Sequence, residues 1–336
     1  MHTVESAALR PLSLRALSRR LPPLHLVLPN VLSRPDRSGL QAPALKARLA
    51  LVMAASVAGV VTCLLAEPVF AMTGVKPPPK PAPSLATPQA FCTEVTGRLP
   101  NVSKAVCTRA QLSLTDARSA QGRPLFQRDV ISPNAHLRVL VIGGIHGDEL
   151  SSTALVLNWI GAAAETPSNI HWRFVPLMNP DGMLLDKPTR TNSRGVDLNR
   201  NFPTPNWDKE APVYWNQRTK SDPRRYPGPK PLSEPESKWL FDEMERWKPN
   251  LIVSVHAPYG LLDFDGPTVA PQRLGRLYLD QVGIFPGSLG NYGGVHKKVP
   301  VVTIELPSAL RTPQEAEIRQ MWLDLLRWTA ERLGAD

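Results

Sequence analysis

The chain has 336 residues, with 39 Lys or Arg against 29 Asp or Glu, a formal charge of +10. The length leaves room for two average domains. The basic excess includes no cationic run interleaved with aromatics, which argues against a nucleic-acid partner.

Residues 1–45 are rich in Leu, Pro and Arg without a sustained helical or alternating period, and they read as non-globular. Lys46 and Arg48 then precede seventeen uncharged residues, Leu49 to Leu65, and the small-residue pattern Val69-Phe70-Ala71. That is the layout of a secretory signal over 46–71, cleaved after Ala71. A signal rarely starts 45 residues into a chain, so translation is expected to begin near Lys46. A precursor that begins at Met1 on N-terminal sequencing removes that expectation. The rival is a retained membrane anchor, because seventeen apolar residues fall at the bottom of the spanning range. Lipidation at Cys63 is disfavoured by the preceding Thr62. Residues 72–336 carry 31 Lys or Arg and 26 Asp or Glu, a mild +5 that is compatible with an anionic substrate. No stable membrane insertion is expected after cleavage.

Residues 72–90 hold "TGVKPPPKPAPSLATPQA", whose prolines favour an extended spacer. Cys92 and Cys107 follow, and an even cysteine count in an exported chain favours a disulfide, with buried free thiols as the alternative. Closing that loop contributes about 3 kcal/mol in the chain-entropy model.

Residues 91–336 form one domain long enough for a sizeable core. Apolar strand-like runs occur at 137–143, 171–178, 251–256 and 299–304, and helical candidates at 149–162, 234–247 and 313–333. Ser233 and Glu236 are placed to form a capping box at the second helix. The alternation predicts an α/β sheet with helices on both faces, and no internal repeat is found. The long loop from Phe202 to Leu232 carries Trp207, Tyr214, Trp215 and Tyr226, which suit a rim beside a binding site or ordinary satellite packing.

In open α/β sheets ligands gather at the carboxyl ends of strands. His146 and Glu149 follow the first run in "GGIHGDEL", His256 ends "LIVSVH", and Glu305 ends "VVTIE". Two histidines and a glutamate with an open position make a catalytic zinc set. Taken singly, the His-x-x-Glu pair reads as a surface turn, His256 as a hydrogen-bonded edge histidine, and Glu305 as a solvated acid. Their joint occurrence at strand ends favours the metal, since buried acids and histidines need partners. Asn179-Pro180-Asp181-Gly182 reads as a reverse turn. Arg190, Arg194, Asn199 and Arg200 share one loop, where arginine forks suit a carboxylate but a solvated basic loop is also compatible.

"GIHGDE", "NPDG", "GVDLNRNFP", the later strand histidine and the final strand glutamate resemble the zinc carboxypeptidase family over about residues 137–333. "LSEPES", "PGSLG" and "TIELP" add a resemblance to its murein peptide amidase A branch, which cleaves the γ-D-glutamyl–meso-diaminopimelate bond of wall peptides. The resemblance implies a three-layer α/β/α fold with a mixed twisted central sheet, and one Zn2+ per chain held by His146, Glu149 and His256. It implies Arg190 as oxyanion stabiliser, Asn199 and Arg200 as the grip on a substrate carboxylate, Glu305 as general base, and a murein peptide as substrate in the periplasm. Asp197 is placed to support a ligand or the arginine loop, or else to form a turn. The chain departs from the digestive enzymes in having no tyrosine at the offset of their mobile one. Tyr278 and Tyr292 lie elsewhere; Tyr259, in "HAPYG", or another group is the candidate to close the site, with Leu289 or Asn291 as candidate pocket residues. The rival readings are a zinc deacylase of N-acyl amino acids and a catalytically silent wall-peptide binding module. Retention of Glu305 argues against the second, because binding alone needs no general base.

Overall fold

A computed structural model describes residues 85–334 of the chain. The expected non-globular segment 1–45, the signal 46–71 and residues 72–84 of the expected linker lie outside the described residues. Pro88–Ala90, at the end of that linker, already open a helix.

In chain order the elements are α1 (Pro88–Thr96), α2 (Lys104–Arg109), β1 (Ser113–Arg118), β2 (Pro124–Ile131), β3 (Leu137–Ile142), α3 (Leu150–Glu165), β4 (Ile170–Val175) and α4 (Pro180–Met183). They continue with α5 (Trp207–Val213), α6 (Pro235–Trp247), β5 (Leu251–His256), β6 (Leu261–Asp265), β7 (Arg273–Leu274), β8 (Leu277–Tyr278), β9 (Val301–Glu305) and α7 (Glu315–Leu333). Seven strands form one sheet in the order β1-β2-β4-β3-β5-β9-β6. Its centre, β4-β3-β5-β9, is parallel, and β2 and β6 join it antiparallel, so the sheet is mixed as expected.

The central strands are apolar on both faces. Along β3, Val139 and Val141 belong to one core while Leu140 and Ile142 belong to the other. That period of two matches the pleat. On the first face α3 and α7 pack, with Trp322 in contact with both Trp159 and Trp172. Truncating a fully buried tryptophan of this kind costs about 3–5 kcal/mol. On the second face α6 contributes Trp239, Leu240 and Met244. α1 and α2 are joined by the expected disulfide between Cys92 and Cys107, and Phe91 packs on Phe126 of β2. Among the described residues no helix is long and apolar enough to cross a membrane.

The capping box expected at α6 is not formed. The residue before the helix is Glu234, and Ser233 instead donates to the Glu234 carboxylate at 2.8 Å. Glu236 is drawn away by tertiary partners: its Oε1 accepts from the backbone of Ala120 in the β1–β2 turn at 3.0 Å. It is fully buried beside Asp181 and Glu234, and its carboxyl is raised to about 7, by burial first and by those two acids in addition. An acid raised on folding binds more protons in the native state. Its contribution to stability is therefore fully present below the unfolded value near 4.5 and is lost as the pH rises through about 7. Urea unfolding from pH 4.5 to 7.5 should find Glu236→Gln gaining roughly 3 kcal/mol relative to the wild type across the window. A difference independent of pH would contradict this assignment.

Candidate active site

The turn after β3 is shaped by two glycines. Gly144 has φ +57°, and a Cβ there would lie 2.5 Å from Thr153 Oγ1 and 2.7 Å from Leu177 Cδ1. Gly147 packs so tightly on α4 that a Cβ would meet the Met183 nitrogen at 2.3 Å. Glycine alone fits such positions. The turn directs His146 and Glu149 to the carboxyl ends of the strands, with Glu149 immediately before α3, where the positive end of the helix dipole favours a carboxylate. His256 ends β5 and Glu305 ends β9, paired side by side in parallel register.

His146 Nδ1 lies 2.8 Å from Glu149 Oε1 and 3.1 Å from His256 Nδ1, which in turn is 3.2 Å from Glu149 Oε2. One ligand atom from each of the three falls within 4.8 Å of the others, and all three residues are buried. The outer nitrogens are anchored: His146 Nε2 to Asp197 Oδ1 at 3.2 Å, His256 Nε2 to Ser254 Oγ at 2.9 Å. Asp197 Oδ2 accepts from Arg190 Nε at 2.9 Å, and Arg190 also lies 3.5 Å from Glu149 Oε1. Although burial acts to raise Glu149, His146 and His256 hold its carboxyl well below the usual range, and burial pushes His256 down.

The seven residues to which the resemblance assigns metal, catalytic or carboxylate-binding roles line one cavity: the His146–Glu149–His256 cluster, Arg190, Asn199, Arg200 and Glu305. Asn199 Oδ1 accepts the backbone amide of Leu289 at 2.8 Å. Arg200 is 5% exposed, stacks over Phe285 at 4.6 Å and has an Nε without a partner. Burial pushes it down to about 10, so it stays charged at neutral pH. Glu305 is 8% exposed with an unpartnered Oε2, and burial and then Glu149 raise it to about 7. A divalent cation among the ligands acts in the opposite direction.

A profile of the family described as zinc carboxypeptidase matches residues 110–262. Murein peptide amidase A of Vibrio campbellii is 34% identical over 200 residues, covering 56% of this chain and 77% of that protein. The chain belongs to the zinc carboxypeptidase family. The amidase of the same name from Escherichia coli K12 is 32% identical over 196 residues, covering 56% and 79% of the two chains. Among solved structures, carboxypeptidase A from Helicoverpa armigera aligns with a TM-score of 0.51 at 18% identity, over 72% of this chain and 71% of that one, a likeness of fold.

As a member of this zinc-dependent family the protein is a hydrolase, and its own donor set fits the metal. Both ring nitrogens of His146 face carboxylates, Nε2 that of Asp197 and Nδ1 that of Glu149; with the ring hydrogen of the neutral form on Nε2, where Asp197 accepts it, Nδ1 presents a bare lone pair. That lone pair faces Glu149 Oε1 at 2.8 Å. Two electron-rich atoms so close require a positive charge, which a proton or a bound cation provides, and the mixed imidazole–carboxylate set suits zinc.

Some expectations divide. Asp197 does both things offered for it: it supports His146 and Arg190, and it caps the turn at Asn199 at 3.0 Å. Arg194 stays outside, largely exposed and near Glu234 at 3.7 Å. The 202–232 loop folds into α5, a π-helical turn at Tyr214–Arg218 and a 3₁₀ turn at Pro223–Arg225. Trp207 is buried on the Arg200 carbonyl, whereas Trp215 and Tyr226 line an open groove of about 560 Å³ that shares Arg190 with the cavity. The pocket wall is made by Ser288 and Gly290 in place of Leu289 and Asn291; Leu289 is buried in the core and Asn291 donates to the Phe285 carbonyl. Tyr259 lines the cavity with 57% exposure. Ser254, Asp263 and Asp265 were not singled out by sequence, although the alternation Ser-x-His on β5 and Asp-x-Asp on β6 marks polar residues on one sheet face.

Competition with a chelator should find zinc binding abolished by His146→Ala and weakened roughly 10- to 100-fold by Asp197→Asn, whose amide favours the wrong tautomer. Unchanged affinity in the Asp197 variant would remove its supporting role.

Proposed function

We propose that the protein is an exported zinc metallopeptidase that hydrolyses murein peptides at the amide bond between γ-D-glutamate and meso-diaminopimelate, with one zinc per chain. The observation that carries the reading is the single cavity where all seven residues meet, in a chain similar to murein peptide amidase A over most of that enzyme's length.

His146, Glu149 and His256 would hold the zinc ion, which would supply Lewis acidity at neutral pH. Glu305, whose Oε2 is free of other partners, takes a proton from the attacking water and returns it to the departing amine. Arg190, held by Asp197, faces the negative charge that develops on the carbonyl oxygen. Asn199 and Arg200 grip the carboxylate of the residue whose amine leaves, so that only a bond near a free carboxylate is presented. The groove beyond Arg190, walled by Trp215 and Tyr226, gives space to the acyl portion. Tyr259, at the rim, is the tyrosine available to close over the substrate. The Cys92–Cys107 disulfide suits an oxidising compartment, and the reading places the mature chain in the periplasm, released from a signal at 46–71 and spaced by 72–90.

Mass spectrometry of L-Ala-γ-D-Glu-meso-diaminopimelate incubated with the zinc-loaded chain should find free diaminopimelate and L-Ala-D-Glu. Glu305→Gln should retain zinc and lose roughly 10²- to 10⁴-fold in rate. An uncleaved tripeptide with rapid release of acyl groups from N-acyl amino acids would transfer the reading to a deacylase. A Glu305 variant at the original rate would require another base.

A further inference from the structure

The groove beyond Arg190 holds a cation to which the hydrolysis gives no role. Two arginines, Arg190 and Arg224, line it, and no acid does. Local structure sets Arg224 beside the aromatic wall. Asp222 caps the 3₁₀ turn at Pro223–Arg225 by accepting the Arg224 amide at 2.9 Å, and the Asp222 carbonyl accepts from Trp215 Nε1 at 2.8 Å. Trp215 packs on Tyr226 in turn, with ring centroids 4.8 Å apart.

The guanidinium has a fixed footing. A terminal nitrogen of Arg224 lies 2.8 Å from Asp148 Oδ2, while Arg190 lies 3.5 Å from Glu149 Oε1. Asp148 and Glu149 are consecutive, their Cα atoms about 3.8 Å apart across a trans peptide, so the two arginines rest on adjoining carboxylates of the turn after β3. Asp148 occupies one edge of a fork that carries five N–H donors, and the Arg224 side chain keeps 58% of its surface exposed. Donors therefore remain for a ligand. Arg225, the next residue, lines the catalytic cavity with Asn199 and Arg200 instead, on the side given to the leaving residue.

The proposed substrate carries an anion for this position. In a γ-linked glutamyl residue the scissile carbonyl belongs to the side chain, which leaves the α-carboxylate free on the acyl side. Four bonds separate that carboxylate from the scissile carbonyl carbon, about 5 Å when extended. With the carbonyl oxygen facing Arg190, the acyl chain enters the groove, where the remaining cation is Arg224. A guanidinium fork matches a carboxylate in bidentate geometry.

We infer that Arg224, held by Asp148, is the specificity-determining residue for the free α-carboxylate of a γ-glutamyl acyl group, with Trp215 and Tyr226 walling the chain that leads to it. The inference rests on the proposed hydrolysis and names the acyl groups that the groove selects: those carrying this anion, in preference to the same peptide with the carboxylate amidated.

The test compares kcat/KM for L-Ala-γ-D-Glu-meso-diaminopimelate and for L-Ala-γ-D-isoglutaminyl-meso-diaminopimelate, which differ only in that a neutral amide replaces the α-carboxylate. The zinc-loaded wild type should favour the carboxylate by about tenfold or more. Arg224→Gln should bring the ratio close to one by slowing the carboxylate substrate alone, and Arg224→Glu should invert it. A role confined to bracing Asp148 would slow both substrates together and preserve the ratio. A ratio near one in the wild type, or a ratio preserved in Arg224→Gln, would overturn the inference while leaving the hydrolysis intact. Calorimetry with the dipeptides L-Ala-D-Glu and L-Ala-D-isoglutamine decides the matter separately from turnover. Tighter binding of the dicarboxylate, lost in Arg224→Gln, supports the assignment even if neither tripeptide is cleaved, and equal or absent binding of both overturns it.

Discussion

Three electron-rich side chains converge on one point, and the fold spends much of its polar network keeping them there. His146 Nδ1, His256 Nδ1 and the Glu149 carboxylate face one another at 2.8–3.2 Å, an arrangement that is unfavourable without a positive charge between them. Each is held from behind. Asp197 fixes His146 and Ser254 fixes His256; Glu149 is tied to the start of α3 and accepts the Ala257 amide at 3.2 Å. The second contacts determine which ring nitrogen faces inward, and therefore what the cluster can bind.

The loops that deliver the remaining groups are cross-linked by buried polar side chains as well as by apolar packing. Asn179 caps α4 and donates to the Arg190 carbonyl at 3.1 Å, which ties the turn after β4 to the arginine loop. Asp181 accepts from Ser119, Gln121, Arg123 and Ser193 at 2.7–2.8 Å, joining the β1–β2 turn to the same loop. Asn201 donates to the carbonyls of Pro227 and Lys230, which holds the long excursion after Phe202 against the site. Satisfied networks of this kind rigidify irregular backbone that lacks the regular ladder of a sheet, so the cavity-lining groups on loops gain the fixed positions of a scaffold.

The sequence made the centre of this protein legible and its margins obscure, for physical reasons. β3, β5 and β9 are covered on both faces, so they read as short apolar runs, β5 ending in His256, β9 in Glu305 and β3 followed by the turn that bears His146, and the three long helices are legible as well. β1 and β6 escaped notice because their exposed or cavity-facing residues, such as Asp116, Asp263 and Asp265, break the apolar run. The capping box at Ser233 failed because a local pattern was outcompeted: the Ala120 amide, distant in sequence, claims the Glu236 carboxylate. Leu289 and Asn291 flank Gly290 beside a Gly-Ser pair, yet at the start of the π-helical turn Leu289 enters the core and Asn291 donates to the Phe285 carbonyl. The sequence is compatible with two roles for Asp197, and in the structure it performs both, since a carboxylate has enough acceptor sites to cap a turn and hold a ring.

The central claim is that the cavity exists to hold one divalent ion between these three side chains. Anomalous diffraction at the zinc edge, from crystals of the protein grown with equimolar zinc, measures that directly. The account predicts one peak per chain, about 2.0–2.2 Å from His146 Nδ1, His256 Nδ1 and a Glu149 oxygen. A fully occupied peak elsewhere in the chain, or no peak at this cluster, would contradict it.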